Sequence, residues 1–211
     1  METIRPFEKM DSSNTALLAI DVVNSCAHER CESKKYGITF SKIRKMVPKL
    51  TAFVDEFRKS VGGMVIFTKN VPWRKEYLPE SINELYEDPS VRYYSDDATG
   101  FPEEFYMVEP QKDDVVITKN TNDAFANKDL VATLQSKEIK YLVVTGIFTD
   151  GCVLASVMGG FSRGYSFVIL KDLVETTDVE KRQQIQRLLI EYTFPYLCGR
   201  VVGSKDFLET W

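Results

Sequence analysis

The sequence predicts an α/β fold, a Rossmann-like three-layer α/β/α sandwich with a mainly parallel, roughly six-stranded sheet. Short runs rich in branched apolar residues have the length and composition of buried strands. Segments with apolar residues at three- and four-residue spacings, the period of amphipathic helices, separate most of these runs. Continuous apolar strands that alternate with helices are typical of a parallel sheet that is covered on both faces and connected by right-handed crossovers.

The predicted strands and helices follow one another along most of the chain. The strands are residues 16–21 (ALLAID), 63–69 (GMVIFTK), 114–119 (DVVITK), 141–147 (YLVVTGI), 165–172 (YSFVILKD) and 200–204 (RVVGS). The helices are residues 41–60, 129–138, 152–164 and 178–194. Pro48 is the discordant residue of the first helix, because proline removes a backbone donor. The last helix has Ile185, Leu188, Leu189 and Tyr192 on one face.

Residues 71–109 form the irregular part of the predicted fold. This segment is rich in Pro, Tyr, Asp and Glu, and it is longer than a usual connection. We expect it to be either a loop that covers the substrate or an arm at an interface. The whole chain, residues 1–211, is otherwise predicted to form one domain.

Composition narrows the possible partners. The formal charge of −4 comes from mixed acidic and basic residues, without the basic block that nucleic acid or an anionic membrane would attract. No apolar run approaches the roughly 20 residues that span a bilayer, and the N-terminal METIRPFEKMDSSN lacks the apolar stretch of a secretory signal. We therefore expect a cytoplasmic protein without nucleic-acid or membrane partners.

Cysteine and histidine usage constrains the chemistry. The four cysteines form neither a dense disulfide framework nor a CxxC pair, which favours reduced thiols. His28 is the only histidine, so a Cys-His or Ser-His-Asp relay would have to use it. It lies in the charged stretch HERCESKK, where a solvated surface residue is the more common interpretation.

Three chemically active side chains fall where predicted strands end. Ligands of open α/β sheets bind outside the carboxyl ends of the strands. Asp21 ends the first strand, Lys119 ends the third, and the fourth leads through four residues to Cys152 at a predicted helix start. A helix start favours a thiolate over a thiol, and nearby backbone N–H groups can bind an oxyanion.

Each of these residues also has an ordinary structural interpretation. A lone cysteine is more often an inert core residue, an aspartate after a strand can be a cap or a loop residue, and a lysine there is usually solvated. Together, however, a thiol, a carboxylate and an ammonium group form a complete set for acyl transfer without histidine.

The motifs ALLAIDVVN, ITKNTNDAF and TGIFTDGCV, in this order, resemble those of the isochorismatase-like superfamily of cysteine hydrolases. The resemblance spans nearly the whole chain and implies a cofactor-independent enzyme that cleaves a C–N bond of a small amide or ureido substrate. It implies that Asp21 accepts the thiol proton and passes it to the leaving amine, that Lys119 stabilises this carboxylate, and that Cys152 forms a thioester.

The same resemblance implies further features of the site. The peptide bond between Ile147 and Phe148 is expected to be cis, and the backbone amides of Phe148 and Cys152 are expected to line an oxyanion hole. Family members form homodimers or homotetramers, so a homo-oligomer is expected.

Departures from the family pattern indicate which branch of the superfamily fits. Nicotinamidases carry an Asp-x-His pair and a further histidine for a divalent metal, whereas this chain reads TKNVPW, with Asn70 and Pro72 at the paired positions. We therefore expect no metal site. Isochorismatases proper, which cleave an enol ether, typically lack the cysteine, so Cys152 favours C–N cleavage.

Candidate substrate contacts are less specific. They are Asn24, Trp73, Phe125 and Phe148. The loop that contains Asn24 departs from the usual family sequence, and core packing is the simpler interpretation of Phe125.

The same sequence features bear on two other classes of protein. A non-catalytic or redox-sensing α/β protein would use the activated thiol of Cys152 without needing Asp21 and Lys119. A dinucleotide-binding domain is excluded, because the turn after ALLAID reads VVNSCAHERC and contains no glycine fingerprint.

Overall fold

The computed structural model of this chain describes residues 9–72, 75–87 and 104–211, and it contains one sheet of six strands. The strands are β1 (Thr15–Ile20), β2 (Met64–Asn70), β3 (Val115–Lys119), β4 (Tyr141–Ile147), β5 (Ser166–Glu175) and β6 (Gly199–Val202). Their order is β3-β2-β1-β4-β5-β6, and all five pairings are parallel. The predicted α/β class is therefore confirmed.

Helices occupy the connections between these strands, and one helix follows β6. They are α1 (Asn24–Ala27), α2 (Ser41–Glu56), α3 (Glu80–Glu87), α4 (Lys128–Ser136), α5 (Leu154–Phe161), α6 (Glu180–Leu188), α7 (Phe194–Leu197) and α8 (Ser204–Thr210). Wider π-helical turns extend α2 over Phe57–Val61, precede α5 over Thr149–Val153, and join α6 to α7 over Leu189–Thr193. None of the helices in the described ranges has both the length and the apolarity needed to cross a bilayer.

Part of the segment predicted to be irregular is helical. Helix α3 lies within residues 71–109, and the carbonyl oxygen of Pro79 accepts hydrogen bonds from the N–H groups of Ile82 and Asn83 at its start. A proline followed by a glutamate is a helix-start signal that the prediction overlooked. The expectation of an irregular segment is therefore wrong for this part.

The central strand β1 is buried because both faces of the sheet are covered. Alternate residues of β1 point to opposite sides. Leu18 and Ile20 belong to an apolar cluster with residues of α4 and α5, whereas Leu17 belongs to a second cluster with residues of α2 and α8. This double burial explains why the strand sequence is continuously apolar.

Helix α6 presents its apolar residues to the outside. It buries none of its own residues, and Ile185 and Leu188 are 46% and 62% exposed. Its inward contacts are polar instead, made by Arg182, Gln183 and Gln186. Helix α6 is thus attached to the domain through its polar face.

The strand order creates a crevice between β1 and β4. The chain adds β2 and β3 on one side of β1, and then crosses over to place β4 on the other side. Such a switch point is where ligands bind in open α/β sheets. Asp21 directly follows β1, and Cys152 follows β4 after a short turn, so both lie at this crevice.

Candidate functional site

Asp21 is a buried carboxylate held in a fixed orientation. It is 1% exposed, and its φ of 52° turns the chain sharply after β1. Its backbone N–H donates to the carbonyl oxygen of Thr68 at 3.2 Å, and its Oδ1 accepts a hydrogen bond from the hydroxyl of Thr68 at 2.7 Å. Neighbouring β2 therefore holds both the backbone and the side chain of Asp21.

Lys119 is also buried, at 2% exposed, so it is not the solvated lysine of the alternative interpretation. Its Nζ lies 2.7 Å from Asp21 Oδ2, 2.6 Å from Asn70 Oδ1, 3.0 Å from the carbonyl oxygen of Thr121 and 3.4 Å from Cys152 Sγ. An ammonium group has only three N–H donors. The long contact with the thiol must therefore share a hydrogen with one of the shorter contacts.

Cys152 lies in an irregular turn. It is 8% exposed, within the π-helical turn Thr149–Val153, where Gly151 departs from helical geometry with φ −128° and ψ −108°. The N–H groups of Gly151 and Val153 both donate to the carbonyl oxygen of Phe148. The peptide bond between Ile147 and Phe148 is cis. The thiol is thus presented by a compact turn that precedes α5.

The surroundings of the thiol favour its protonated form at rest. Burial, followed by the negative charge of Asp21, raises the pKa of the Cys152 thiol to about 12, and Lys119 offsets these effects only in part. Burial opposes the charge of Lys119, but its interactions with Asp21 and Cys152 outweigh this effect and raise the pKa of the ammonium. Burial and Asp21 therefore act against the thiolate that a helix start favours.

Comparison with known proteins identifies the family. The isochorismatase domain model matches residues 15–197 of the chain. This chain belongs to the isochorismatase family. It is a hydrolase of that family, and the predicted resemblance is confirmed.

Individual isochorismatase-family relatives agree with this placement. The ureidoacrylate amidohydrolase RutB of Stutzerimonas stutzeri (strain A1501) is 26% identical over 94% of this chain and 84% of its own length. A cysteine hydrolase from Pseudomonas syringae pv. phaseolicola 1448A shares the fold with a TM-score of 0.78 at 19% identity, over 95% of this chain and 93% of that one. N-carbamoylsarcosine amidase from Thermoplasma acidophilum gives a TM-score of 0.64 at 20% identity, over 92% and 97% of the two chains.

The other residues that sequence motifs single out in this isochorismatase-family chain lie in varied environments. Phe125 is 2% exposed and packs against Tyr165 and Phe167, so it lies in the apolar core. Phe148 is 4% exposed, beside the cis peptide. Asn24 is partly buried at the start of α1, with its N–H bonded to the carbonyl oxygen of Glu104.

Two further candidates remain. Trp73 lies outside the described residues. His28 lies after α1, where its Nδ1 accepts a hydrogen bond from the Arg30 N–H and its ring contacts the edge of Tyr106.

Two asparagines complete the surroundings of the thiol. Asn122 is exposed, and its Oδ1 lies 3.6 Å from Cys152 Sγ. The sequence analysis missed it, because an amide in a loop gives no periodic signal, although its place between Lys119 and Phe125 is a clue. Asn70, at a position where nicotinamidases are expected to bind metal, contacts Lys119. Within the ranges described, no group of three His, Cys, Asp or Glu side chains is arranged to hold a metal ion.

Proposed function

We propose that this protein hydrolyses a C–N bond of a small amide or ureido compound through a thioester on Cys152. The observation that carries the proposal is the Lys119 ammonium, 2.7 Å from the Asp21 carboxylate and 3.4 Å from the Cys152 thiol in a buried crevice. Similarity to a ureidoacrylate amidohydrolase favours a ureido group among the possible amides.

The first half of the reaction forms the acyl enzyme. Asp21 accepts the thiol proton as the sulfur attacks the carbonyl carbon, and Lys119 balances the negative charge that moves between the two groups. The N–H groups of Phe148 and Cys152 stabilise the oxyanion. The C–N bond then breaks, and Asp21 gives its proton to the departing nitrogen.

The second half regenerates the enzyme. Asp21 accepts a proton from water while the water oxygen attacks the thioester carbon. The C–S bond breaks, the acid leaves, and the proton returns to the sulfur. These steps need no cofactor.

The test combines turnover with trapping. Purified protein is incubated with a panel of primary amides and N-carbamoyl compounds, ammonia release is measured, and intact-mass spectrometry detects acyl adducts. We expect turnover of at least one panel member and an adduct on Cys152 that Cys152→Ala abolishes. Cys198→Ala, which removes another buried thiol, is the matched control and should remain active. An adduct that persists in Cys152→Ala, or an active Cys152→Ala protein, would refute the proposal.

A redox-sensing role is less compatible with the site. The thiolate is the form that peroxides oxidise, and a thiol pKa raised to about 12 by burial together with the charge of Asp21 leaves little thiolate at neutral pH. The buried carboxylate beside Lys119 also has no part in such a sensor.

We also propose that the protein is a homodimer or homotetramer in the cytoplasm. An exposed set of apolar side chains, the outer strip, supports the association: Ile185, Leu188, Tyr192, Tyr196 and Leu197. The Tyr192 and Tyr196 rings of this set stack on each other, and exposed apolar surface is typical of interfaces. The mixed charges argue against partnership with nucleic acid or membranes.

Light scattering coupled to size-exclusion chromatography tests the association. The wild-type protein should elute with the mass of two or four chains, and Leu188→Lys should shift it towards one, because a charge in an apolar interface loses its hydration. Val116→Lys, at a 42% exposed position of β3, is the control and should leave the mass unchanged. A monomeric wild-type protein, or a Leu188→Lys protein of unchanged mass, would contradict the proposal.

A further inference from the structure

The turn that joins the cis peptide to the nucleophile is held at its centre by an ion pair. Asp150 Oδ2 accepts a hydrogen bond from Arg182 Nε at 2.7 Å, and Oδ1 accepts one from Arg182 Nη2 at 2.6 Å. The hydroxyl of Thr176 donates to the same Oδ1 at 2.6 Å. The side chains of Arg182 and Asp150 are only 13% and 8% exposed, so water screens the pair weakly.

Helix α6 also contacts the residues on the amino side of Asp150. The hydroxyl of Thr149 donates to Gln186 Oε1 at 2.7 Å, and the Arg182 guanidinium lies 4.8 Å from the centre of the Phe148 ring. Arg182 and Gln186 are four residues apart and therefore lie on one face of the helix. The polar face of α6 thus contacts three consecutive residues, 148 to 150.

Gln186 is itself held in place. Its Nε2 donates to Glu175 Oε1 at 2.8 Å, and Gln183 Nε2 donates to the same oxygen at 2.9 Å. Glu175 ends β5 and pairs in register with Ile147 of β4. The polar face of α6 is therefore fixed to the same edge of the sheet from which the nucleophile turn emerges.

We propose that Arg182 and Asp150 are a positioning pair that fixes the turn 148–152 so that its backbone N–H groups are preorganised for the oxyanion. The inference rests on the proposed function. The turn needs such support because Gly151 interrupts its helical geometry, so regular helix hydrogen bonding does not fix it. A donor aimed at a developing charge must be held within a fraction of an ångström.

The choice of arginine follows from this role. A guanidinium fork that binds both carboxylate oxygens fixes the direction of the Asp150 side chain as well as its distance. A lysine ammonium supplies the charge without the fork. Arg182→Lys therefore separates geometry from charge.

The test measures turnover together with the affinity for propionaldehyde, which adds to a thiol and forms a tetrahedral oxyanion. Affinity is read from the protection of Cys152 against iodoacetamide. For Arg182→Lys we expect kcat and aldehyde affinity to fall in parallel by about 10- to 100-fold. KM should stay within about twofold, because the pair acts on the transition state. Lys181→Gln, an exposed change on the same helix, is the control and should match the wild type.

A double variant distinguishes loss of positioning from misfolding. Arg182→Gln alone leaves a buried unpaired carboxylate, whereas Asp150→Asn with Arg182→Gln removes both charges. The double variant should show the same parallel loss of kcat and aldehyde affinity, with an unchanged pH dependence of alkylation. Wild-type kcat and aldehyde affinity in Arg182→Lys, or a loss of thermal stability alone, would overturn the proposal. If the wild-type protein hydrolyses no panel compound, the proposed function fails, and aldehyde binding still tests the pair.

Discussion

Asp21→Asn is expected to lower turnover by about 10²- to 10⁴-fold while making the Cys152 thiol easier to ionise. Turnover falls because an amide cannot accept the thiol proton. Ionisation becomes easier because the negative charge of Asp21, after burial, is what raises the pKa of the thiol towards about 12. Burial remains in the variant, but the charge is removed, so the pKa of the thiol falls. Lower turnover together with a lower pKa of the Cys152 thiol is the result that distinguishes an aspartate acting as the base.

The rate of iodoacetamide alkylation as a function of pH measures this effect. Below the thiol pKa of about 12, the wild-type rate should rise about tenfold per pH unit, because only the thiolate reacts. The Asp21→Asn curve should level off at a lower pH. Asp113→Asn removes an exposed carboxylate and should leave both the curve and the turnover unchanged. Normal turnover in Asp21→Asn, or a thiol that ionises at the same or a higher pH, would exclude Asp21 as the base.

Gly146→Ala is expected to lower the free energy of unfolding by on the order of 4 kcal/mol. Gly146 has a φ of 116°, which side chains rarely adopt, and a Cβ there would overlap the backbone of Ile20 in neighbouring β1. Because β1 leads to Asp21 and β4 leads to Cys152, the displacement would also separate the two reacting groups. Activity should therefore be lost even in the fraction that folds.

Urea unfolding gives the measurement, and the chain supplies a matched control. Gly164 also has a positive φ, 91°, but a Cβ there would meet no atom within 4 Å. Gly164→Ala should lower the free energy of unfolding only by the cost of the backbone strain, roughly 1 kcal/mol. Equal unfolding midpoints for the two variants would show that Gly146 is not needed for close contact between β1 and β4.

Much of the fold was predictable because strands that are buried on both faces of a sheet have continuously apolar sequences. β1, which leads to Asp21, is a continuous apolar run that is buried throughout, and it lies where predicted. β3, which ends in Lys119, also lies where predicted, although it is an edge strand with an exposed Val116. Because the carboxyl ends of parallel strands meet at one edge of the sheet, the sequence alone predicts that Asp21, Lys119 and Cys152 lie close together. The ionisation state of Cys152 was not accessible in this way, because it depends on burial and on charges brought together from distant strands.

The sequence also did not reveal which face of helix α6 points towards the sheet. Periodicity shows that Ile185 and Leu188 share a face but not whether that face points inward. In this protein the polar face points inward, because Arg182 and Gln186 bind the nucleophile turn. Asn122 gave no signal either, since nothing local links a loop amide to a thiol on another segment.

Helix α6 contacts the turn 148–152 through its polar residues and also carries two residues of the outer strip, Ile185 and Leu188, on its exposed surface. For a protein that associates through the outer strip, subunit association and ligand binding at the turn would both act on this helix. If a ligand that fixes the turn tightens association, thermodynamic reciprocity requires that association tightens ligand binding by the same factor. Dilution would then weaken the binding of oxyanion-forming inhibitors, and saturation with such an inhibitor would hold the subunits together.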